Sequence, residues 1–246
     1  MSMSGNNKDR DLVNRACQAI LEVIQPGDVV TWIGKHAWWQ FWSALVHAGI
    51  QWQQRNLFGK KSNWQDTHAM LFLDESNTFS VELPRATTKH VREYCLADLS
   101  IYRLRVIDLT ASHVETMRSA VMDLVGEGYD LGQILDIAIN TLLGYDHQRR
   151  LKFFDMGRRK KVCSVGVRAV FEYLYQHSIR AVDSRPGKWL FHQLNPDRWS
   201  ALAVTEYKGT DVEATAPAHF TNTDFFSNEF ELIARFNGGL RIFPNP

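Results

Sequence analysis

The sequence predicts an α+β fold in which an antiparallel sheet packs against helices. Three features point to it: short runs rich in β-branched residues between positions 28 and 107, a polar turn joining two of these runs, and helical apolar spacing before and after them. Segregated strands and helices of this kind favour an antiparallel sheet over a βαβ alternation.

In chain order, residues 1–10 are polar and read as a frayed end. From Asp11 onward, Val13, Cys17, Ile20 and Ile24 recur at helical spacing, and Pro26-Gly27 stops that helix. Asp28–Ile33 reads as a strand. Residues 34–66 form a Trp-rich insertion holding Trp38, Trp39, Trp42, Trp52 and Trp64, with Phe41 and Phe58 between them; Trp38, Trp42 and Leu45 share one helical face. Thr67–Leu73 and Thr78–Leu83, joined by DESN, predict a hairpin. Ser100–Ile107 alternates and predicts a further strand. Ala111–Val125 reads as a helix ending at Gly126, and Asp130–Leu143 as another. A polar, basic loop over 144–162 precedes a helix at Cys163–Tyr175, whose inner face carries Val167, Val170, Phe171 and Leu174. Beyond it, Pro186-Gly187 and Asn195-Pro196 break the chain, and Val204–Tyr207 and Phe230–Phe236 read as late strands. The expected organisation is one domain over 1–246, with a core at about 27–194 and a C-terminal extension at 195–246.

Composition narrows the function classes. Hydrophobic residues make up 45% and charged residues 22% of 246, enough apolar content for a packed core. The formal charge is only +1, which argues against nucleic acid as a partner, because binding phosphates needs a cationic excess or stripe. The one basic run, Arg158–Lys161, reads as a solvated loop. Cys17, Cys95 and Cys163 show no C-x-x-C spacing and no H-E-x-x-H motif is present, so neither a disulfide framework, a metal nor another cofactor is expected. With no positive-then-apolar leader and no run of about 18 apolar residues, a cytoplasmic location without a transmembrane segment is expected.

Chemistry concentrates at three positions. Cys163 stands where a polar loop gives way to an apolar helix, so its sulfur meets unpaired backbone N–H groups and the positive end of the helix dipole, which favour thiolate. His68 lies in a strand among apolar neighbours and needs a polar partner for its second ring nitrogen. Glu82, on the other arm of the hairpin, can orient an imidazole and stabilise its cation. Each has a structural alternative when taken alone: an inert buried thiol, a structural histidine, an exposed strand glutamate. Asp74 and Glu75 fall in the turn and are poorer acids. His47 in LVHAGI lacks a following hairpin strand with an acid; His36, His90, His113, His147, His177, His192 and His219 have no chemical partner in sequence. Ser164 follows Cys163 without a G-x-S-x-G elbow, which argues against a serine hydrolase.

The order GDVV, strand His68, VELPRA, apolar helix, then VCSVGV opening a helix resembles the permuted NlpC/P60 superfamily of papain-like proteins. It is most similar to the branch with YiiX- and YaeF-like proteins and, more distantly, to lecithin:retinol acyltransferase. The likeness runs from about Gly27 to about Leu194, and YDLGQIL at 129–135 is similar to the family's helix before the cysteine. It implies a papain-like permuted fold, with Cys163 as nucleophile, His68 as base and Glu82 as third polar residue. It also implies a thiol hydrolase cleaving an amide or ester bond in a peptide, other amide or acyl lipid. Alternatives on the same site are an acyltransferase, a lipid-directed thioesterase or lipase, or a binding module that keeps only the fold. The long Trp-rich stretch, Thr67 before the histidine and the length of chain after Tyr175 depart from the family pattern and leave the substrate open.

Overall fold

The computed structural model describes residues 5–33, 48, 50–52, 54–55, 65–74, 76–82, 84–105, 107–130, 132, 162–179, 217–221 and 230–243. The helix predicted at 130–143 beyond Asp130 and Gly132, the strand at 204–207, Trp38, Trp39, Trp42, Trp64, the basic run 158–161 and His36, His47, His147 and His192 lie outside them.

The chain opens with α1 (Gly5–Leu21), followed by β1 (Val29–Trp32), β2 (His68–Phe72), β3 (Asn77–Val81), β4 (Ala86–His90) and β5 (Leu99–Leu104). Then come α2 (Ala111–Leu124), α3 (Cys163–Leu174), the short α4 (Ala218–Thr221), β6 (Phe230–Asn237) and β7 (Leu240–Phe243). The strands form one seven-stranded sheet in the order β4-β3-β2-β1-β5-β6-β7, and every neighbouring pair is antiparallel.

Helices cover both faces of this sheet. On one face, Val29, Ala69, Leu71, Phe79, Val81, Tyr102 and Leu104 pack against Met117, Ala120 and Val121 of α2 and against Val167, Val170, Phe171 and Leu174 of α3. On the other, Val30, Met70, Phe72, Leu99, Ile101, Ala234 and Phe236 meet Ala16, Cys17 and Ile20 of α1 with Val91, Tyr94 and Cys95. That double cover explains why all five residues of β2 are buried, although alternate side chains point to opposite faces. The four inner-face residues of α3 are fully buried, each removing apolar area worth roughly 1.5–3 kcal/mol.

Several boundaries depart from the sequence expectation. α1 begins at Gly5 rather than Asp11, so residues 5–10 are helical where a frayed end was expected. β5 ends at Leu104, short of Ile107, and β3 ends at Val81, which leaves Glu82 just beyond the strand. β4, ATTKH, and β7, LRIF, were not expected as strands at all. After Leu174 the helical path continues as one π turn over Tyr175–Ile179. Residues 230–243, from the stretch read as an extension, supply two strands of the sheet.

Two glycines allow close approaches. Gly27 has φ +93°, a left-handed conformation suited to glycine, and a Cβ there would meet Leu109 Cδ1 at 2.1 Å. Gly166 brings α3 down onto β3: a Cβ at this position would lie 2.4 Å from Val81 Cγ2. Next to Gly27, buried Asp28 accepts hydrogen bonds from Arg103 Nε at 2.9 Å and Nη2 at 2.8 Å and from the Gln25 amide at 2.8 Å, which ties the first turn to β5. Gln54, fully buried, donates to the Asp66 carbonyl at 2.7 Å and accepts from the Ala218 amide at 2.6 Å, joining the insertion to the entry of β2 and to α4.

Asp66 itself is a buried acid. Burial pushes its pKa up to about 6, against the opposing effects of the Thr31 hydroxyl, which donates to it at 2.8 Å, and of Arg235. A folded pKa above the unfolded value means that the native state holds the proton more tightly. The stability this contributes is complete below about pH 4 and lost as pH rises through about 6. Asp66→Asn is therefore expected to raise stability at pH 7 by on the order of 2–3 kcal/mol and to flatten its dependence between pH 4 and 6. Urea unfolding of both proteins at pH 4 and pH 7 checks this; an asparagine variant that loses stability equally at both values contradicts it.

Candidate active site

Cys163 is the first residue of α3, with Val162 in extended conformation at the cap and no side chain capping the helix. The uncapped amides leave N–H groups for the sulfur. The backbone N–H groups of Ser164 and Ala69 donate to it, and the His68 ring hydrogen-bonds to it from the first residue of β2. Thus α3 delivers the thiol to the end of β2 where the histidine begins the strand. Cys163 is 1% exposed and His68 5% exposed.

Their electrostatics are reciprocal. Burial alone would raise the Cys163 pKa, but the His68 charge, the His68 hydrogen bond and the two amides outweigh it and hold the thiol below its ordinary value. Burial alone would lower the His68 pKa; the Cys163 thiolate, its hydrogen bond and the Glu82 carboxylate outweigh that and raise it. A thiolate facing an imidazolium is the state both shifts favour.

The far side of the imidazole is held by a polar chain. His68 Nε2 lies 2.6 Å from Ser80 Oγ, and Ser80 Oγ donates to Glu82 Oε1 at 3.1 Å. Glu82 Oε1 is 3.7 Å from Nε2, beyond hydrogen-bond length. The β2–β3 register pairs Met70 with Ser80, which continues to His68 opposite Glu82. Ser80 is thus the diagonal neighbour of the histidine on the same face. With Nε2 engaged by Ser80, Nδ1 is the nitrogen available to the thiol. Trp32, opposite His68 in the β1–β2 register, sets its ring edge-on to the imidazole at 5.6 Å between centroids.

Glu82 is anchored from β4 and the turn after it. Lys89 Nζ donates to Oε2 and the Tyr94 hydroxyl donates to Oε1. Burial would raise the Glu82 pKa, but His68, Lys89 and Tyr94 together hold the carboxyl below its usual range. Tyr94 is pushed in the opposite direction by burial and by Glu82, so it remains a neutral donor. A second tyrosine, Tyr129, is half-buried; burial and the charges of Cys163, Glu82 and Asp130 raise its pKa well above the ordinary phenol value. Ile50 of the insertion, Val162 and Val165 form a small apolar cluster beside the thiol, against which Tyr129 packs.

The three residues singled out from sequence, Cys163, His68 and Glu82, are brought together, with Glu82 reaching the histidine mainly through Ser80. Ser80, Lys89, Tyr94 and Tyr129 were not anticipated. Ser80 had a readable signal, because alternation along β3 puts Ser80 and Glu82 on one face. Lys89 and Tyr94 had none, because the β4 pairing that positions them was not foreseen. Asp74 instead closes the hairpin turn, accepting from the Asn77 side chain at 2.7 Å. His90 accepts from the Arg92 amide at 3.0 Å, His113 shares a capping box with Thr110 at the start of α2, and His177 stacks on Tyr173 at 3.8 Å. Among the described residues no group of three or more His, Cys, Asp or Glu side chains is placed to hold a metal ion, and no helix is long and apolar enough to cross a membrane.

No protein-family model and no curated protein matches the chain. Among solved structures it is similar to metalloprotein YiiX from Escherichia coli O157:H7, a DUF1105 protein, with a TM-score of 0.43 and 12% identity, over 87% of this chain and 98% of that one. The placement of Cys163, His68 and Glu82 beside one another follows from this chain's own geometry.

Proposed function

We propose that the chain is a thiol hydrolase of the papain-like type in permuted order, acting on an amide or ester bond in a small peptide, other amide or acyl lipid. The observation that carries the reading is the contact between the Cys163 thiol, at the uncapped start of α3, and the imidazole of His68. The Cys163 thiolate attacks the carbonyl carbon, and the resulting oxyanion is held by backbone N–H groups at the start of α3. As the tetrahedral intermediate collapses, the bond from carbon to nitrogen or oxygen breaks, and His68 protonates the departing amine or alcohol. His68 then takes a proton from water, hydroxide attacks the thioester, and the sulfur leaves as thiolate with the free acid released. Glu82 stabilises the imidazolium throughout.

Incubation with an activated ester such as p-nitrophenyl acetate, followed by acid quench and mass spectrometry, tests this. The expected result is one acetyl group on Cys163, released on further incubation in the native protein and absent in Cys163→Ala. Acetylation spread equally over Cys17, Cys95 and lysines overturns the reading in favour of a binding module.

The near-complete burial of Cys163 beside apolar Ile50, Val162 and Val165 supports a second reading, acyl transfer with water excluded. Adding a primary amine or alcohol separates the two: the acyl group goes to the acceptor in a transferase and to water in a hydrolase.

A further inference from the structure

We propose that Ser80 is the positioning residue that sets the tautomer of His68, and that Glu82 acts on the histidine through it, making the site a linear chain Cys163–His68–Ser80–Glu82. This deepens the hydrolase reading and rests on it for its mechanistic meaning. The proposal stands on the count of protons and lone pairs in a buried row. A serine hydroxyl has one proton. Ser80 is fully buried, and its oxygen lies 3.1 Å from Glu82 Oε1 and 2.6 Å from His68 Nε2. The carboxylate has no proton to give, so the serine proton goes to Glu82. Toward the histidine the same oxygen accepts, which places a hydrogen on Nε2. The neutral ring then presents the bare lone pair of Nδ1, and that is the nitrogen which must take the proton of Cys163.

Turned the other way, the serine would donate to Nε2 and force the hydrogen onto Nδ1, leaving the ring unable to act as base. Glu82 prevents this by its demand for the serine proton. The acid is itself fixed: Lys89 donates to Oε2 and Tyr94 to Oε1, so its oxygens are aimed at Ser80 and not directly at the ring. At 3.7 Å from Nε2, Glu82 contributes charge but no hydrogen bond of its own.

Imidazole 15N chemical shifts of His68 in the uniformly labelled full chain, with Ser80→Ala, Ser80→Thr, Glu82→Gln and the double variant, test the chain. In the native protein the neutral ring is expected as the Nε2–H tautomer. Ser80→Ala is expected to give a tautomer mixture and to lower the rate of Cys163 alkylation by iodoacetamide at pH 6.5 about tenfold, less than the 10²–10⁴-fold that loss of the whole general base costs, because some of the rings keep the competent tautomer. Ser80→Thr, which retains the hydroxyl, is expected to restore the native tautomer. Glu82→Gln is expected to slow alkylation in the native background and to have a clearly smaller effect once Ser80 is alanine, where only the direct charge of Glu82 at 3.7 Å is left to lose. An equal effect of Glu82→Gln in both backgrounds, or a native tautomer in Ser80→Ala, overturns the proposal. The tautomer readout needs no turnover, so a native protein that forms no acyl-enzyme refutes the hydrolase reading while leaving Ser80 to be judged by the shifts alone.

Discussion

Replacing His68 with alanine is expected to slow alkylation of Cys163 at pH 6.5 by about 10²–10⁴-fold, the range a positioned general base supplies. The variant removes the largest influences opposing burial at the thiol: the imidazolium charge and its hydrogen bond. What remains are the amides of Ala69 and Ser164 against a desolvated sulfur, so the titration of Cys163 moves upward past the ordinary thiol value. The direction in the native protein follows from the paired shifts. Cys163 is lowered and His68 is raised, so the ion pair exists in the window between them and is lost by protonation of the thiolate at low pH and by deprotonation of the imidazolium at high pH. Alkylation against pH, read at each cysteine by mass spectrometry, checks this, with Cys17 and Cys95 as internal references because burial raises both. A native Cys163 profile indistinguishable from theirs, and unmoved by the His68 change, would end the thiolate–imidazolium account.

The second large effect is one of packing. Gly166→Val is expected to destabilise the protein by about 3 kcal/mol, at the upper end of the cost of overpacking, which lowers the melting temperature by roughly 6–12 °C for a chain above 150 residues. The added Cβ would lie 2.4 Å from Val81 Cγ2, and Val81 is stiff at χ1 and 1% exposed, with nowhere to retreat. Gly166→Ala makes the same contact, so it too is expected to destabilise, although alanine in a helix interior is favoured over glycine by about 1 kcal/mol. Relief comes by lifting the first turn of α3 away from β3, and that turn carries Cys163. Guanidinium unfolding and the alkylation profile are therefore expected to change together; a Gly166→Ala variant more stable than the native protein would show that the helix has room.

What could be read from sequence divides along physical lines. β1, β2, β3 and β5 were legible because apolar alternation is dense where both faces of a sheet are covered, and α2 and α3 because their buried residues keep helical spacing. β4 was not, since ATTKH has one buried residue, Ala86, and its other four positions are polar and half-buried or exposed at the sheet edge. β7 is four residues long and mostly exposed, so it carries no pattern to find. The first turns of α1 look like a solvated tail in sequence because they hold no apolar residue before Leu12. At the site, Cys163, His68 and Glu82 were visible from residue type and order. Ser80 requires the hairpin register to be drawn, and Lys89 and Tyr94 require knowing that β4 folds back beside β3.

The late position of β6 in the chain bears on synthesis. β5 lies between β1, at Val29–Trp32, and β6, at Phe230–Asn237, so one partner is translated well before it and the other well after. On the ribosome β5 therefore emerges with one side already matched and the other a row of bare amides and carbonyls, and it stays so until more than a hundred further residues have been added. An open edge of that kind recruits foreign strands. A nascent chain stalled before Phe230 would carry His68, Ser80, Glu82 and Cys163 in full and still be the aggregation-prone form of the protein.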